Sequence, residues 1–280
     1  GGGYSSVDKL IGIIDLTQGN LFGKGQLIKI RAELGGRTAF YDLSFRDPWF
    51  MDKPISFTTS LYRVTREYID FKKKATGFGV GFGKNFTEYV KGEIGYNFES
   101  ATIYDVYEGV STLIKEQEGT RITSSISPAL IRDSRDNYLD PSRGSRNSIY
   151  FTYAGIGGDN MFVKSLLDSA WYFPLKKTTF MLRGRFGYAT GIWGKDLPLY
   201  ERFYVGGIYT IRGIGWGEAG PRDEKTGDVI GGTEELIFNA EYIFPIVGAL
   251  RLKGVVFFDA GNSYENFKDF GSLRYTTGAG

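Results

Sequence analysis

Glu241 and Asp259 lie on the polar side of two alternating segments, and Arg212 stands between apolar neighbours in the glycine-rich passage GGIYTIRGIGWGEAGPRD, residues 206–223. Two carboxylates on neighbouring strands need a donor, and an arginine fork offers five N–H groups and keeps its charge at any working pH. The chemistry on offer is binding and clamping. The usual catalytic groups are missing, because the 280 residues contain no His and no Cys. That excludes Ser-His-Asp and Cys-His systems, histidine-ligated zinc, thiolate metal sites and disulfides. No catalytic residue or metal ligand is assigned, and no cofactor is expected. The stretch GFGVGFGKN, residues 77–85, fails the phosphate-loop spacing at Phe78 and Asn85. Taken alone, Arg212 is either an exposed loop cation or a partner for inward acids, and Glu241 and Asp259 are either its partners or solvated charges.

Composition points to strands and turns. Gly is 40 of 280, aromatics reach 16% and Pro is only 8, a mixture with ample surface to bury and no signature of disorder. The 34 basic residues are matched by 32 acidic ones, which gives no basic stripe for nucleic acid. No apolar run approaches the roughly 18 to 20 residues of a membrane helix, and GGGYSSVD lacks the pattern of a signal peptide.

Period two runs along the chain. Ile28, Ile30, Ala32 and Leu34 alternate with Lys29, Arg31 and Glu33, and Ala39, Tyr41, Leu43 and Phe45 oppose Asp42, Ser44 and Arg46. Val90, Ile94, Tyr96 and Phe98 are set against Lys91, Glu93 and Asn97. Phe180, Leu182, Phe186 and Tyr188 are set against Arg183 and Arg185. Leu236, Phe238, Ala240, Tyr242 and Phe244 face away from Glu235, Asn239 and Glu241; Leu250, Leu252, Val256 and Phe258 face away from Arg251, Lys253 and Asp259. We count about 13 such segments of roughly 9 to 12 residues, long for a soluble sandwich and matched to tilted membrane strands. Phe78, Val80 and Phe82 over Gly77, Gly79, Gly81 and Gly83 suit a lipid-facing wall with a crowded lumen. Aromatics beside Pro in DPWF, WYFPL and YIFPI suit an interfacial girdle. The expected fold is all-β, a transmembrane antiparallel barrel, with a large soluble barrel or solenoid as the competing reading.

The connections fall into two sets. Those at 19–25, 45–54, 84–88, 174–178 and 245–249 are compact, whereas 99–120 and above all 190–233 are long. Short periplasmic turns opposite longer outer loops are usual in outer-membrane barrels. A loop of some forty residues in a compact domain is expected to have a function.

RFYVGGIYTIRGIGWGEAGPRD resembles the sixth extracellular loop of the BamA-like barrel assembly factors and their translocase relatives, whose hallmark is Val-Arg-Gly-Phe/Tyr. Here that hallmark stands as Ile211, Arg212, Gly213 and Ile214. Ile214 departs from the usual aromatic. VVFFDAGN, residues 255–262, is similar to the family's Phe-x-Asp-x-Gly strand motif, with Phe257, Asp259 and Gly261 in place. RDSRDNYLDPSRGSR, residues 132–146, looks like its turn after the eighth strand. The resemblance runs over essentially the whole chain.

The resemblance implies a sixteen-stranded barrel whose long loop folds into the lumen, so that Arg212 meets the inner-wall acids Glu241 and Asp259. It implies an outer-membrane assembly factor that inserts nascent β-barrel proteins through a lateral seam, helped by accessory assembly lipoproteins and in contact with outer-membrane lipids. The family's seam is weakly zipped, so an incoming strand can pair with its exposed edge. GYSSVD at 3–8 and LRYTTGAG at 273–280 look like the end of a first strand and the start of a fourteenth. Residues 1–280 are therefore expected to be a barrel domain truncated at both ends, with periplasmic POTRA domains upstream and the seam largely outside the sequence. The leading alternative is an outer-membrane polypeptide translocase of the same superfamily. A passive porin would leave the lumen open, and an outer-membrane phospholipase or protease of known type would need the absent His.

Overall fold

In the computed structural model, which describes residues 2–5, 9–68, 70–247, 252–266 and 272–280, the alternating segments form one antiparallel sheet of fourteen strands in chain order. The strands are β1 (Gly2–Ser5), β2 (Lys9–Leu21), β3 (Gln26–Leu34), β4 (Thr38–Asp47), β5 (Ser56–Glu67), β6 (Lys72–Asn85) and β7 (Val90–Tyr104). They continue as β8 (Gly119–Asp133), β9 (Gly144–Gly158), β10 (Phe162–Leu175), β11 (Thr178–Gly191), β12 (Glu234–Val247), β13 (Leu252–Tyr264) and β14 (Arg274–Ala279). One helical turn, α1 (Thr112–Lys115), sits between β7 and β8. Residues 6–8 of GYSSVD, residues 248 and 249 of the 245–249 connection, Leu250 and Arg251 lie outside the described residues. From β6 to β13 the strands run 13 to 15 residues, longer than the sequence suggests. Their polar ends carry the ladder past the apolar stretch, where side-chain alternation no longer marks them.

Register puts the apolar positions of successive strands side by side. Leu16, Ile30, Leu43, Leu61, Phe78 and Phe98 form one continuous row across six strands. Leu130, Ile149, Leu167, Phe186 and Leu236 form another. These side chains are largely exposed, so the outer face is an apolar surface far beyond what a protein in water leaves uncovered. A hydrocarbon surround accounts for it, with the ladder keeping backbone polar groups paired from strand to strand.

The opposite face holds the buried material. All three apolar clusters, built around Ile114 and Leu199, Phe162 and Leu197, and Ile211 and Ile237, join the long connection between β11 and β12 to the inner wall or to α1. That connection touches Arg66 and Tyr68 at the end of β5 and Thr276 on β14, so the sheet curls around it. The glycines of β6 make room inside: a Cβ on Gly77 would lie 2.5 Å from the Tyr62 hydroxyl, and one on Gly83 2.7 Å from Ser56 Oγ.

Connections alternate between two ends of the sheet. One end carries 22–25, 48–55, 86–89, 134–143 and 176–177; the other carries 35–37, 68–71, 105–118, 159–161 and 192–233. The compact set falls at one end and the two long passages at the other. The division by length is incomplete, because 35–37 and 159–161 are three-residue links at the long-loop end and 134–143 is ten residues at the compact end. The last is rigid for its length: Asp136 accepts from the backbone of Asn137, Ser142 and Arg143 and from the Ser142 hydroxyl.

Leu182 lies at mid-strand on the outer face of β11, paired with Trp171 and Ala240. Leu182→Arg is expected to cost about 2–4 kcal/mol in urea unfolding of the protein from lipid vesicles. An unchanged midpoint would contradict a hydrocarbon-facing wall.

Candidate functional site

Inward parity places Glu235, Ile237, Asn239 and Glu241 on β12 and Phe257, Asp259 and Gly261 on β13. Asn239 pairs with Asp259 and Glu241 with Phe257, so the two acids are diagonal neighbours. Phe257 faces Gly278 of β14. A Cβ there would come within 2.5 Å of the Phe257 ring, so glycine leaves room for the ring to lie along the wall.

Above this patch, residues 206–214 close into a compact knuckle. The Gly207 N–H donates to the carbonyls of Ile211 (3.1 Å) and Ile214 (2.8 Å), and the Gly206 N–H donates to Thr210 Oγ1 (2.8 Å). Gly206 and Gly213 have φ of 130° and 83°, values that side chains disfavour. Ile211 is fully buried with Val205, Ala219 and Ile237, and Ile214 packs on the edge of that cluster. Gly261 sets the approach: a Cβ on it would lie 2.5 Å from the Leu236 carbonyl and 3.3 Å from Ile211 Cδ1.

The knuckle presents Arg212 to the wall. Its Nε and Nη2 each donate to Asp259 at 2.7 Å, to Oδ2 and Oδ1, its backbone N–H donates to Oδ2 at 3.0 Å, and Nη1 donates to Glu241 Oε1 at 2.6 Å. Asn239 Nδ2 donates to Asp259 Oδ1 (2.9 Å) and to the Thr210 carbonyl (2.8 Å). The Thr276 hydroxyl donates to the Arg212 carbonyl at 2.7 Å, adding β14. The guanidinium carbon lies 3.7 Å from the Phe257 ring centroid, a cation–π contact. Asp259 is fully buried, while Arg212 and Glu241 keep 23% and 19% of their side-chain exposure. Asp259 is therefore the member that depends most on its partners, since a buried carboxylate without donors is costly.

The structure thus brings together Ile211, Arg212, Gly213, Ile214, Glu241, Phe257, Asp259 and Gly261. It also brings in residues that the sequence reading did not select. Asn239 lay in the polar alternation but carries no charge to draw attention, and Thr210 and Thr276 act by single hydrogen bonds that no spacing announces. Arg183 forms a bidentate pair with Asp168 (3.0 and 2.6 Å) and donates to the Tyr209 carbonyl. Ser263 donates through its N–H and hydroxyl to the Ala219 carbonyl. Lys164 donates to the Glu201 carbonyl and carboxylate. Trp216 stacks on Tyr204 at 4.6 Å and lies 6.0 Å from Tyr68.

At its far side the loop is fixed to α1. The Ser111 N–H donates to Asp228 Oδ2 (2.7 Å) and its hydroxyl to Asp223 Oδ2 (2.6 Å). The Ser111 hydroxyl, with the backbone N–H groups of Thr226 and Lys225, holds the Asp223 carboxyl down to about 2. Among the described residues no group of acids is arranged to hold a metal.

The Omp85 superfamily domain matches residues 20–280. The chain is 33% identical over 274 residues to the outer membrane protein assembly factor BamA of Nitratidesulfovibrio vulgaris, covering 96% of this chain and 34% of that one. It superposes on the crystal structure of BamA from Haemophilus ducreyi lacking POTRA domains 1–3 with a TM-score of 0.89, at 21% identity, over 99% of this chain and 62% of the other. CdiB from Acinetobacter baumannii is structurally similar at a TM-score of 0.59 and 16% identity, over 99% and 51%. The chain spans between a third and two fifths of the length of the curated BamA relatives it matches.

Arg212→Ala leaves Asp259 buried with Asn239 as its remaining side-chain donor. We expect a loss of at most about 3–5 kcal/mol of loop docking, less where lumen water enters, read as faster protease cleavage within residues 206–223. Gly261→Ala should loosen the same segment with every charge kept. Loop cleavage at the wild-type rate in both variants would refute the docking. Acid should release the α1 anchor late. The folded pKa of Asp223 lies below the unfolded one, so its contribution is present above the ordinary carboxylate pKa and lost as pH falls through about 2. Amide exchange at Ser111–Leu113, corrected for intrinsic rate, should hold from neutral pH to about pH 4 and rise below it. A rise near pH 6 would show another group in control.

Proposed function

The chain belongs to the Omp85 superfamily as an outer-membrane β-barrel domain, and on that premise we propose that it is the membrane part of an assembly factor that folds and inserts nascent β-barrel proteins. The observation that carries this reading is the identity to a BamA assembly factor along nearly the whole chain. The lumen agrees with it. A loop anchored at α1, β10, β11, β12, β13 and β14 blocks passage of a polypeptide at that end, which leaves the side of the barrel as the route for a client.

Strand-edge chemistry supplies the driving force. A client strand entering hydrocarbon must satisfy every backbone N–H and C=O, and pairing with an open sheet edge does so one residue at a time. Poor hydrophobic match beside the seam thins the bilayer and lowers the barrier further. The role we assign to Arg212, Glu241 and Asp259 is mechanical. By tying the loop to β12, β13 and β14, the clasp keeps the wall in shape while pairing changes elsewhere in the barrel. Clients are nascent outer-membrane barrels, with accessory lipoproteins delivering or orienting them. A secretion pore of the same superfamily would require the loop to leave the lumen, breaking the clasp and the α1 anchor together.

The test is reconstitution of the full-length protein into liposomes, with folding of an added barrel client followed by its heat-modifiable gel mobility. Wild-type protein should accelerate folding, Arg212→Ala should slow it toward the protein-free rate, and Arg212→Lys should fall between because it keeps the charge and loses the fork. No acceleration by the wild type, with transport of an unfolded polypeptide into the vesicles instead, would replace this function with translocation.

A further inference from the structure

The apolar outer wall is not of uniform height. On β12 the outward residues Leu236, Phe238, Ala240, Tyr242, Phe244 and Ile246 are all apolar. They cover about 34 Å of strand, or about 26 Å along the membrane normal after tilt, close to the roughly 25 Å of an outer-membrane belt. On β6 the outward apolar residues are Phe78, Val80 and Phe82 alone, about 14 Å of strand and about 10 Å along the normal. On β5 the apolar rows likewise stop at Leu61.

Above the Leu61–Phe78–Phe98 row, on the side of the long loop, the same outward face becomes polar and cationic. Arg63 pairs with Thr76 and Thr65 with Lys74, and Thr76 and Lys74 pair in turn with Ser100 and Thr102 of β7. Arg63 and Lys74 are diagonal neighbours on one face, about 7–8 Å apart, so two long side chains can converge on one anion. Both are exposed, and among the described residues neither has an ion pair, whereas Lys72 beside them is paired with Asp105 at 3.2 Å. The outward acid Glu67 stands opposite Lys72. Two exposed cations thus stand directly above the last apolar row of β5 and β6, beside the hydroxyls of Thr65, Thr76 and Ser100.

We propose that this patch on β5 and β6 is a headgroup site for an anionic membrane lipid, its phosphate held by Arg63 and Lys74 and its acyl chains lying on Leu61, Phe78 and Val80. Charge complementarity selects the occupant. A neutral or zwitterionic headgroup brings no net charge to the two cations at the hydrocarbon boundary, whereas an anionic one offsets part of their charge while its phosphate oxygens accept from both and from the neighbouring hydroxyls. The bound headgroup draws the polar surface of that leaflet toward the middle of the bilayer beside β5 and β6. The site rests on the lipid-facing wall and is independent of the assembly activity.

The test is native mass spectrometry of the full-length protein released from nanodiscs of phosphatidylcholine with phosphatidylglycerol as a minor component. Wild type should retain phosphatidylglycerol in excess of its share. Arg63→Gln and Lys74→Gln should each lower that excess by roughly fivefold, and Arg63→Lys should preserve it. Lys84→Gln, on the outward face at the compact end, should change it little. No excess in the wild type, equal retention by the Gln variants, or an equal drop in Lys84→Gln would overturn the site. So would a co-purifying protein lost from the Gln variants with no change in lipid.

Discussion

A carboxylate with no exposed surface, Asp259, has to be answered by fixed donors, and three of its four come from one residue of a loop. That constraint organises the lumen. The fork must arrive in the plane of the carboxylate, which demands the knuckle of residues 206–214, and the knuckle in turn demands glycine at 206, 213 and 261. Ile211 then fills the contact that Gly261 leaves open, and Phe257 lies beneath the charge because Gly278 gives it room. Lysine could supply the charge at this position but not the geometry, since a point charge cannot meet Asp259 with two parallel bonds and reach Glu241 with a third nitrogen.

The fold is inside out relative to a protein in water. Its outer apolar rows meet lipid, and its buried apolar clusters are small and lie between the loop and the inner wall. The loop thus takes the part that a second sheet plays in a sandwich. Ion pairs of the inner wall, such as Arg185 with Glu235 and Lys73 with Glu99, connect neighbouring strands, while those of Arg212 and Lys164 connect the wall to the loop.

Much of this was legible in the sequence because strands impose a period of two, and charge at alternate positions survives even where apolar residues are interrupted by glycine. The alternation around Glu241 and Asp259 fixed both faces of β12 and β13, and the family resemblance of IRGI and FFDAG indicated which loop residue would meet them. The anchors of residues 192–233 were not legible. Ser111 with Asp223, and Gln117 with the Leu199 N–H, join positions 112 and 82 apart through ordinary polar side chains, and nothing local distinguishes them from solvated loop residues. The strand ends escaped for a related reason: beyond the hydrocarbon both faces become polar, so the ladder continues where the pattern has stopped.

The meander order of the sheet separates two classes of contact by the length of chain they must close. Each hairpin joins residues a few positions apart and can zip as soon as its two strands exist, whereas the loop's grip on α1 encloses more than a hundred residues and carries a far larger closure entropy. The hollow of the molecule is therefore expected to remain hydrated through most of its own maturation and to fill in a late, cooperative event. During that interval the newly formed cylinder would be a leak in its host membrane, so quick closure of the central passage is a demand on this chain's folding as well as on its finished form.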